Sequence, residues 1–146
     1  MQVRELVRSK GSGAITVEPG ADLGTAARLL MQHNIGGLPV VTDEGSLVGF
    51  LAERDVVRAV DRSSASVRQL SAERIMRPPP TCAGDDSLRE VMARMTRDRL
   101  RHLVVMDGER ILGVLSVGDL VKHRLEELET EAGVLRDYVA AGRAVR

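Results

Sequence analysis

The sequence predicts an α/β fold made of two copies of one β-α-β-β-α unit, related by a pseudo-twofold axis and followed by an extended C-terminal helix. Three observations predict it. First, the stretch from Thr16 to Val57 returns at Thr81 to Val121 with an almost constant offset. Thr16/Thr81, Leu23/Leu88, Leu38/Leu103 and Val40/Val105 are 65 positions apart, whereas Gly49/Gly113, Leu51/Leu115, Asp55/Asp119 and Val57/Val121 are 64 apart. The one-residue change falls at the turn residues Asp43, Glu44, Gly45 and Ser46, and a deletion confined to a loop is the mark of a duplicated structural unit. Second, the apolar spacing changes from helical to strand period in the same order in both copies. Third, apolar residues continue beyond the second copy at alternating intervals of four and three.

Each copy opens on a short extended segment, Ala14 to Val17 and Pro80 to Ala83, and then turns at Glu18, Pro19 and Gly20 or at Gly84 and Asp85. A helix follows. Leu23, Ala26, Ala27, Leu30 and Met31 share one face of it in the first copy. In the second, Leu88, Val91, Met92 and Met95 do so, and Ser87 with Glu90 reads as a capping box. Two apolar strands come next, GLPVV and LVGFL, then HLVVM and ILGVL, joined as hairpins by acidic and glycine-containing turns. A second helix closes each copy, starting near Ala52 and near Ser116. The expected boundaries are a first repeat over 7–63, a linker over 64–80, a second repeat over 81–125 and a helical extension over 126–146. Pro78, Pro79 and Pro80 forbid helix at the end of the linker, and Leu70 and Ile75 are its expected anchors. A half of about 55 residues is near the lower limit for a self-sufficient core, so the halves are expected to share one.

The extension carries Val121, Leu125, Leu128, Ala132, Leu135 and Val139, an a/d seam over nearly three heptads. Gly133 weakens this helix by roughly 1 kcal/mol relative to alanine. Two readings of the seam stand side by side: a helix packed on its own domain, or one that pairs with a second subunit.

Composition excludes several classes. Of 146 residues, 43% are apolar and 29% charged, and the formal net charge is zero, so no global field gathers nucleic acid or an acidic membrane. Phe50 and Tyr138 give no stacking platform for single strands. The single Cys82 rules out an intramolecular disulfide and a cysteine-rich zinc site. His33, His102 and His123 have no metal-ligand spacing, no phosphate-binding Gly-rich loop occurs, and no nucleophile has a base at a recognisable spacing. With no secretory apolar core or membrane-length apolar run, the expectation is a cytoplasmic, stand-alone, non-enzymatic module.

The segments IGGLPVVTDEGSLVGFLAERDVV and LRHLVVMDGERILGVLSVGDLV resemble cystathionine-β-synthase (CBS) domains, and the tandem pair is similar to a Bateman module of the small bacterial stand-alone type. The resemblance runs from about Val7 to Leu125. It implies a regulatory pair that binds an adenine nucleotide between its halves (AMP, ADP, ATP, NAD(H) or S-adenosylmethionine), without a catalytic cofactor, commonly as a homodimer and with a protein target that the sequence does not name. A ligand-independent dimerisation scaffold is the alternative.

The family motif after the second hairpin is Gly, two residues, Ser or Thr, two residues, Asp. The second half keeps it whole as Gly113, Ser116 and Asp119. By resemblance Asp119 would accept from ribose hydroxyls and Ser116 would donate to a phosphate. Ser-x-x-Asp is equally a helix-capping pattern, and the two roles are compatible because a helix N-terminus favours phosphate. The first half departs: Ala52 takes the hydroxyl position, Asp55 is kept, and Arg54 offers either a charge-assisted phosphate contact or a solvated helix start. The two clefts are therefore expected to be inequivalent. Arg101 and His102 stand at a strand mouth where the family places basic residues against phosphate, while His102 has an ordinary strand-edge reading. The matching first-half positions, Gly36 and Gly37, carry no charge. Thr16, Val17, Leu38, Pro39, Thr81, Cys82 and Leu103 are the family-matched candidates for adenine, with plain core packing as their other reading. Arg94, Arg97 and Arg99 read as a solvated helix face.

Overall fold

Alternating apolar runs and helical stripes become, in the computed structural model, the elements α1 (Val3–Ser9), α2 (Leu23–His33), β1 (Gly37–Val41), β2 (Leu47–Ala52), α3 (Glu53–Arg62), a 3-10 turn (Val67–Gln69), α4 (Ala72–Ile75), β3 (Thr81–Ala83), α5 (Leu88–Asp98), β4 (His102–Asp107), β5 (Arg110–Ser116) and α6 (Val117–Ala144). The structure describes residues 1–11, 13–63 and 66–144. The first two linker residues, Ser64 and Ala65, and the last two of the expected extension, Val145 and Arg146, lie outside them. The chain divides into two compact units, Met1–Leu115 and Ser116–Arg146.

Helix α2 starts where the Asp22 carboxylate accepts from Thr25 N at 2.8 Å, and it buries Leu23, Ala26 and Leu30. Met31, placed on the same face by its spacing, is instead 81% exposed. The expected capping box at Ser87 does not form. Ser87 makes no side-chain cap bond, and the first N–H of α5 (Leu88) donates to Met1 O at 3.0 Å instead.

The leading strands of the two repeats differ for a reason written in two prolines. In the second repeat β3 runs parallel to β4 in register Thr81↔Val104, Cys82↔Val105 and Ala83↔Met106, flanked by Val104 N→Pro80 O and Gly84 N→Met106 O. The positions equivalent to Val104 and Gly84 are Pro39 and Pro19, which have no N–H to donate. In the first repeat the ladder shrinks to a single parallel bridge, Val17↔Val40, with Val17 N→Pro39 O and Val41 N→Val17 O.

The segments that complete the repeats are exchanged. Met1 to Arg8 docks on the second repeat, through Val3 N→Asp86 O, Arg4 N→Gly84 O, Leu88 N→Met1 O and the bridge Gln2↔Ser87. The linker makes the same set on the first: Ala72 N→Ala21 O, Glu73 N→Pro19 O, Leu23 N→Leu70 O and Asp22↔Ser71. QVRELVR and SAERIMR are thus one repeated segment, 69 positions apart. Val3, Leu6 and Val7 of α1 are buried, and Leu70, Ile75 and Met76 pack half-buried against the core of the first repeat. This also explains two glycines. A Cβ at Gly49 would lie 2.7 Å from Met76 Cγ, and one at Gly113 would lie 2.6 Å from Val7 Cγ1.

Strands β1 and β2 form an antiparallel pair, and β3-β4-β5 a second sheet in that order. Phe50 and Ala52 of β2 cluster with Val104 of β4, joined by the half-buried Leu47, Met106, Ile111 and Val114. The two halves therefore share a core, as their small size requires.

Candidate functional site

Where the two hairpins meet, a cavity of about 460 Å³ opens between the repeats. Three short sequence features make it. Gly36 and Gly37 allow a close approach: a Cβ at Gly36 would lie 3.0 Å from His102 Nε2, and one at Gly37 would lie 2.6 Å from Phe50 Cε1. The Phe50 and His102 rings stack at a tilt across the repeats, centroids 5.5 Å apart. The proline run then holds Pro78 and Pro80 on the wall as extended chain.

The lining holds an apolar set and a cationic set of side chains. Phe50, Ala52, Val57, Leu100, Pro78 and Pro80 supply the first; Arg54, Arg77, Arg99 and Arg101, with His102, supply the second, against the single acid Glu53. Of the residues expected from sequence, Arg54, Arg101 and His102 come together here. Arg77 and Arg99 were missed. Arg77 sits in what reads as linker, and its repeat equivalent, Arg8, does not line the cleft, so the internal repeat gives no signal for it. Arg99 is the left-handed C-cap of α5 (φ 54°), equivalent to Asn34 at the end of α2 (φ 51°). It is no part of a plain solvated face. Nor is Arg94, whose Nη1 donates to Thr81 O at 2.6 Å and ties α5 to β3; Arg97 does pair on the surface with Asp98.

The other candidates lie elsewhere. Val17, Leu38, Pro39, Cys82 and Leu103 are buried as core, Thr16 is exposed, and Thr81 is half-buried. Burial pushes the Cys82 thiol up to about 11, with the Asp86 carboxylate adding to it and Arg94 opposing.

Asp55 does not line the cleft. It is 2% exposed, with Oδ2 accepting from Ala52 N at 2.8 Å and Oδ1 held by Arg77 Nε at 2.9 Å and Arg58 Nη1 at 3.4 Å. Its surroundings are a second cavity of about 230 Å³ that Arg58, Arg62, Arg74 and Arg77 also line. In the helical unit, Ser116 and Asp119 build a complete reciprocal capping box: Ser116 N→Asp119 Oδ2 at 2.8 Å and Asp119 N→Ser116 Oγ at 3.1 Å. At α3 only half of that box exists, because Ala52 has no oxygen to return.

Among the described residues, no three His, Cys, Asp or Glu side chains cluster as a metal site would need, and no helix is long and apolar enough to cross a membrane.

Comparison with known proteins agrees with this architecture. The CBS-domain profile matches residues 3–62 and 72–126. Protein MJ1225 of Methanocaldococcus jannaschii is 29% identical over 82% of the chain, which spans 41% of that relative's length. The crystal structure of the CBS-domain containing protein ATU1752 from Agrobacterium tumefaciens superposes with a TM-score of 0.79 at 34% identity, covering 85% of this chain and 99% of that one. The CBS domain pair of protein MJ0100, solved in complex with 5'-methylthioadenosine and S-adenosyl-L-methionine, shares the fold with a TM-score of 0.76 at 23% identity, covering 87% of this chain and 98% of its own. With both repeats matched in sequence and the paired fold reproduced, the chain belongs to the CBS-domain family.

Proposed function

We propose that the cleft binds an adenine nucleotide as a regulatory ligand, with the phosphates on its arginines and the adenosine against its apolar side chains. The observation that carries this reading is the lining itself, in which four arginines and His102 outnumber one acidic residue around a cavity of about 460 Å³. Guanidinium groups bind phosphate oxygens through paired, charge-assisted hydrogen bonds. The same imbalance ranks the ligands: ATP and ADP ahead of AMP and NAD(H), and all of these ahead of S-adenosylmethionine, whose sulfonium brings positive charge. MJ0100 lends support at the level of fold, since its pair holds adenosine compounds. Ser116 and Asp119, for which the family implies a phosphate donor and a ribose acceptor, do not line this cavity and are bonded to each other in their capping box, so they are given no contact with this ligand. Asp55 is given no ribose contact, because Ala52 N and two arginines already occupy its oxygens.

The ligand acts as a signal and undergoes no reaction, in a cytoplasmic setting and with a protein target as listener. It shifts the equilibrium between two arrangements of the pair by its differential affinity for them. A second reading, a ligand-independent scaffold, is favoured by one observation: the exposed apolar seam of α6.

Isothermal titration of ligand-free protein against ATP, ADP, AMP, NAD(H) and S-adenosylmethionine decides between them. Micromolar ATP binding, weakened at least about tenfold in Arg101→Ala with an unchanged circular dichroism spectrum, is the expected result. Silence across the panel overturns the nucleotide reading and leaves the scaffold.

A further inference from the structure

Helix α6 presents an apolar stripe to solvent along most of its length. Val121, Leu125, Leu128, Leu135 and Val139 are 44% to 63% exposed, and Ala132 between them is exposed too. Leu120, by contrast, is buried, and the His123 side chain is only 16% exposed. The stripe is therefore a distinct face of the helix, separate from the one carrying Leu120 and His123. In heptad terms Leu125, Ala132 and Val139 are a positions, and Val121, Leu128 and Leu135 are d positions. Two of the three d positions are leucine, as a two-stranded seam prefers. Gly118 and Gly142 fall on the next a and d positions and set the ends of the seam, whose length from Val121 to Val139 is about 27 Å at 1.5 Å per residue. Gly133 falls at an outer position with nothing within 4 Å, so it does not interrupt the stripe.

The flanking charges identify the occupant. The e positions are Lys122, Glu129 and Arg136; the g positions are Arg124, Glu131 and Tyr138. When two such helices run parallel and in register, each g residue faces the e residue five positions on in the other helix. Arg124 then meets Glu129, and Glu131 meets Arg136. Each pair occurs twice by symmetry, and no like charges meet. The contact of Arg124 Nη1 with Glu127 Oε2 at 3.1 Å within the helix leaves further guanidinium donors for the second helix.

An antiparallel pair sets e against e and g against g. One antiparallel register also matches opposite charges, Arg124 with Glu131 and Lys122 with Glu129, but it leaves Val139 outside the overlap and sets Leu135 on Gly118. Only the parallel register covers all six apolar residues and satisfies the charges. We propose that the seam of α6 pairs with the same seam of a second copy of this chain as a parallel, in-register, two-stranded coiled coil. This stands independently of what the cleft binds.

Site-directed cross-linking of the full chain tests the geometry. Leu135→Cys places two thiols at one d layer in the parallel pair, whereas the charge-matched antiparallel register separates them by about 25 Å. Residue 135 is exposed in the single chain, so the substitution leaves the repeats intact. Mild oxidation is expected to give a disulfide-linked dimer with Leu135→Cys and little with Asp137→Cys on the outer face. In sedimentation equilibrium Glu131→Arg is expected to raise the dimer Kd about tenfold, and adding Arg136→Glu to restore it to within about twofold. A monomer at tens of micromolar overturns the proposal. So does a dimer that fails to cross-link at 135, or one that cross-links equally at 137.

Discussion

Arg77 Nε lies 2.9 Å from Asp55 Oδ1, and this one contact ties the segment after α4 to the first turn of α3, while residue 77 also borders the cleft. The carboxylate is buried and the arginine side chain is 56% exposed. Removal of such a pair is asymmetric, because the buried partner is the one left stranded.

Arg77→Met should therefore destabilise by about 1–3 kcal/mol, since Asp55 would keep only Ala52 N and the longer Arg58 contact. Arg58→Met, removing a 3.4 Å contact from a partly exposed side chain, should cost under about 1 kcal/mol. Urea unfolding of the two variants measures the difference. Equal effects would mean that Arg77 is not the principal partner of Asp55.

The exchanged segments make a prediction about location. Leu6 is buried in α1, and α1 is fastened to the second repeat by backbone bonds to Gly84 and Asp86. Leu6→Ala should cost about 2–4 kcal/mol. In hydrogen exchange the loss of protection should concentrate in β3 and β4, which are more than 70 residues away in sequence, and spare β1 and β2. Loss centred on β1 would refute the exchange.

The α/β repeat and its hairpins were legible because strand and helix periods recur at a fixed offset. The exchanged segments are not legible by periodicity, since seven residues with three apolar positions are too short a signal unless QVRELVR is set against SAERIMR. The weakened first strand was legible in principle, since Pro19 and Pro39 announce the missing donors. At the cleft, Arg54, Arg101 and His102 could be named from the hairpin ends. Arg77 and Arg99 could not, because one sits in apparent linker and the other completes a helix end. The core residues Leu38, Pro39 and Leu103 show the converse limit: an apolar position beside a cleft looks the same in sequence whether it faces ligand or protein.

Two glycines with opposite surroundings should respond oppositely to alanine. At Gly113 the new methyl would lie 2.6 Å from Val7 Cγ1, on a stiff β-branched side chain, so Gly113→Ala should destabilise by about 1–3 kcal/mol. Gly133 is within α6 with nothing near, so Gly133→Ala should stabilise that helix by about 1 kcal/mol. Thermal melts report the first and far-UV ellipticity the second. Neutrality at Gly113 would mean that α1 is not seated on β5.

The Cys82 thiol has a folded-state pKa pushed from 9.0 up to about 11, chiefly by burial. Below 9 both states hold the proton and the shift contributes nothing. Between 9 and 11 the unfolded chain releases a proton that the folded one retains, so stability falls as pH rises through that window. Cys82→Ala should flatten the fall without changing the slope below pH 9. The native thiol should also react with Ellman's reagent far more slowly than in urea, and equal rates would contradict its burial.

Arg99 holds the left-handed conformation at the end of α5 (φ 54°), where the equivalent residue of α2 is Asn34. Asparagine tolerates this region better than arginine because its short amide bonds locally to the backbone. Arg99→Asn should therefore stabilise the fold, by about 0.5–1 kcal/mol, while removing one of the four arginines that line the cleft. If the cleft binds nucleotide phosphates, the same variant should bind ATP several-fold more weakly and with a shallower salt dependence. A protein that melts higher and binds less would show that the strained arginine is kept for the ligand. One that melts higher with unchanged affinity would remove Arg99 from the phosphate-binding arginines.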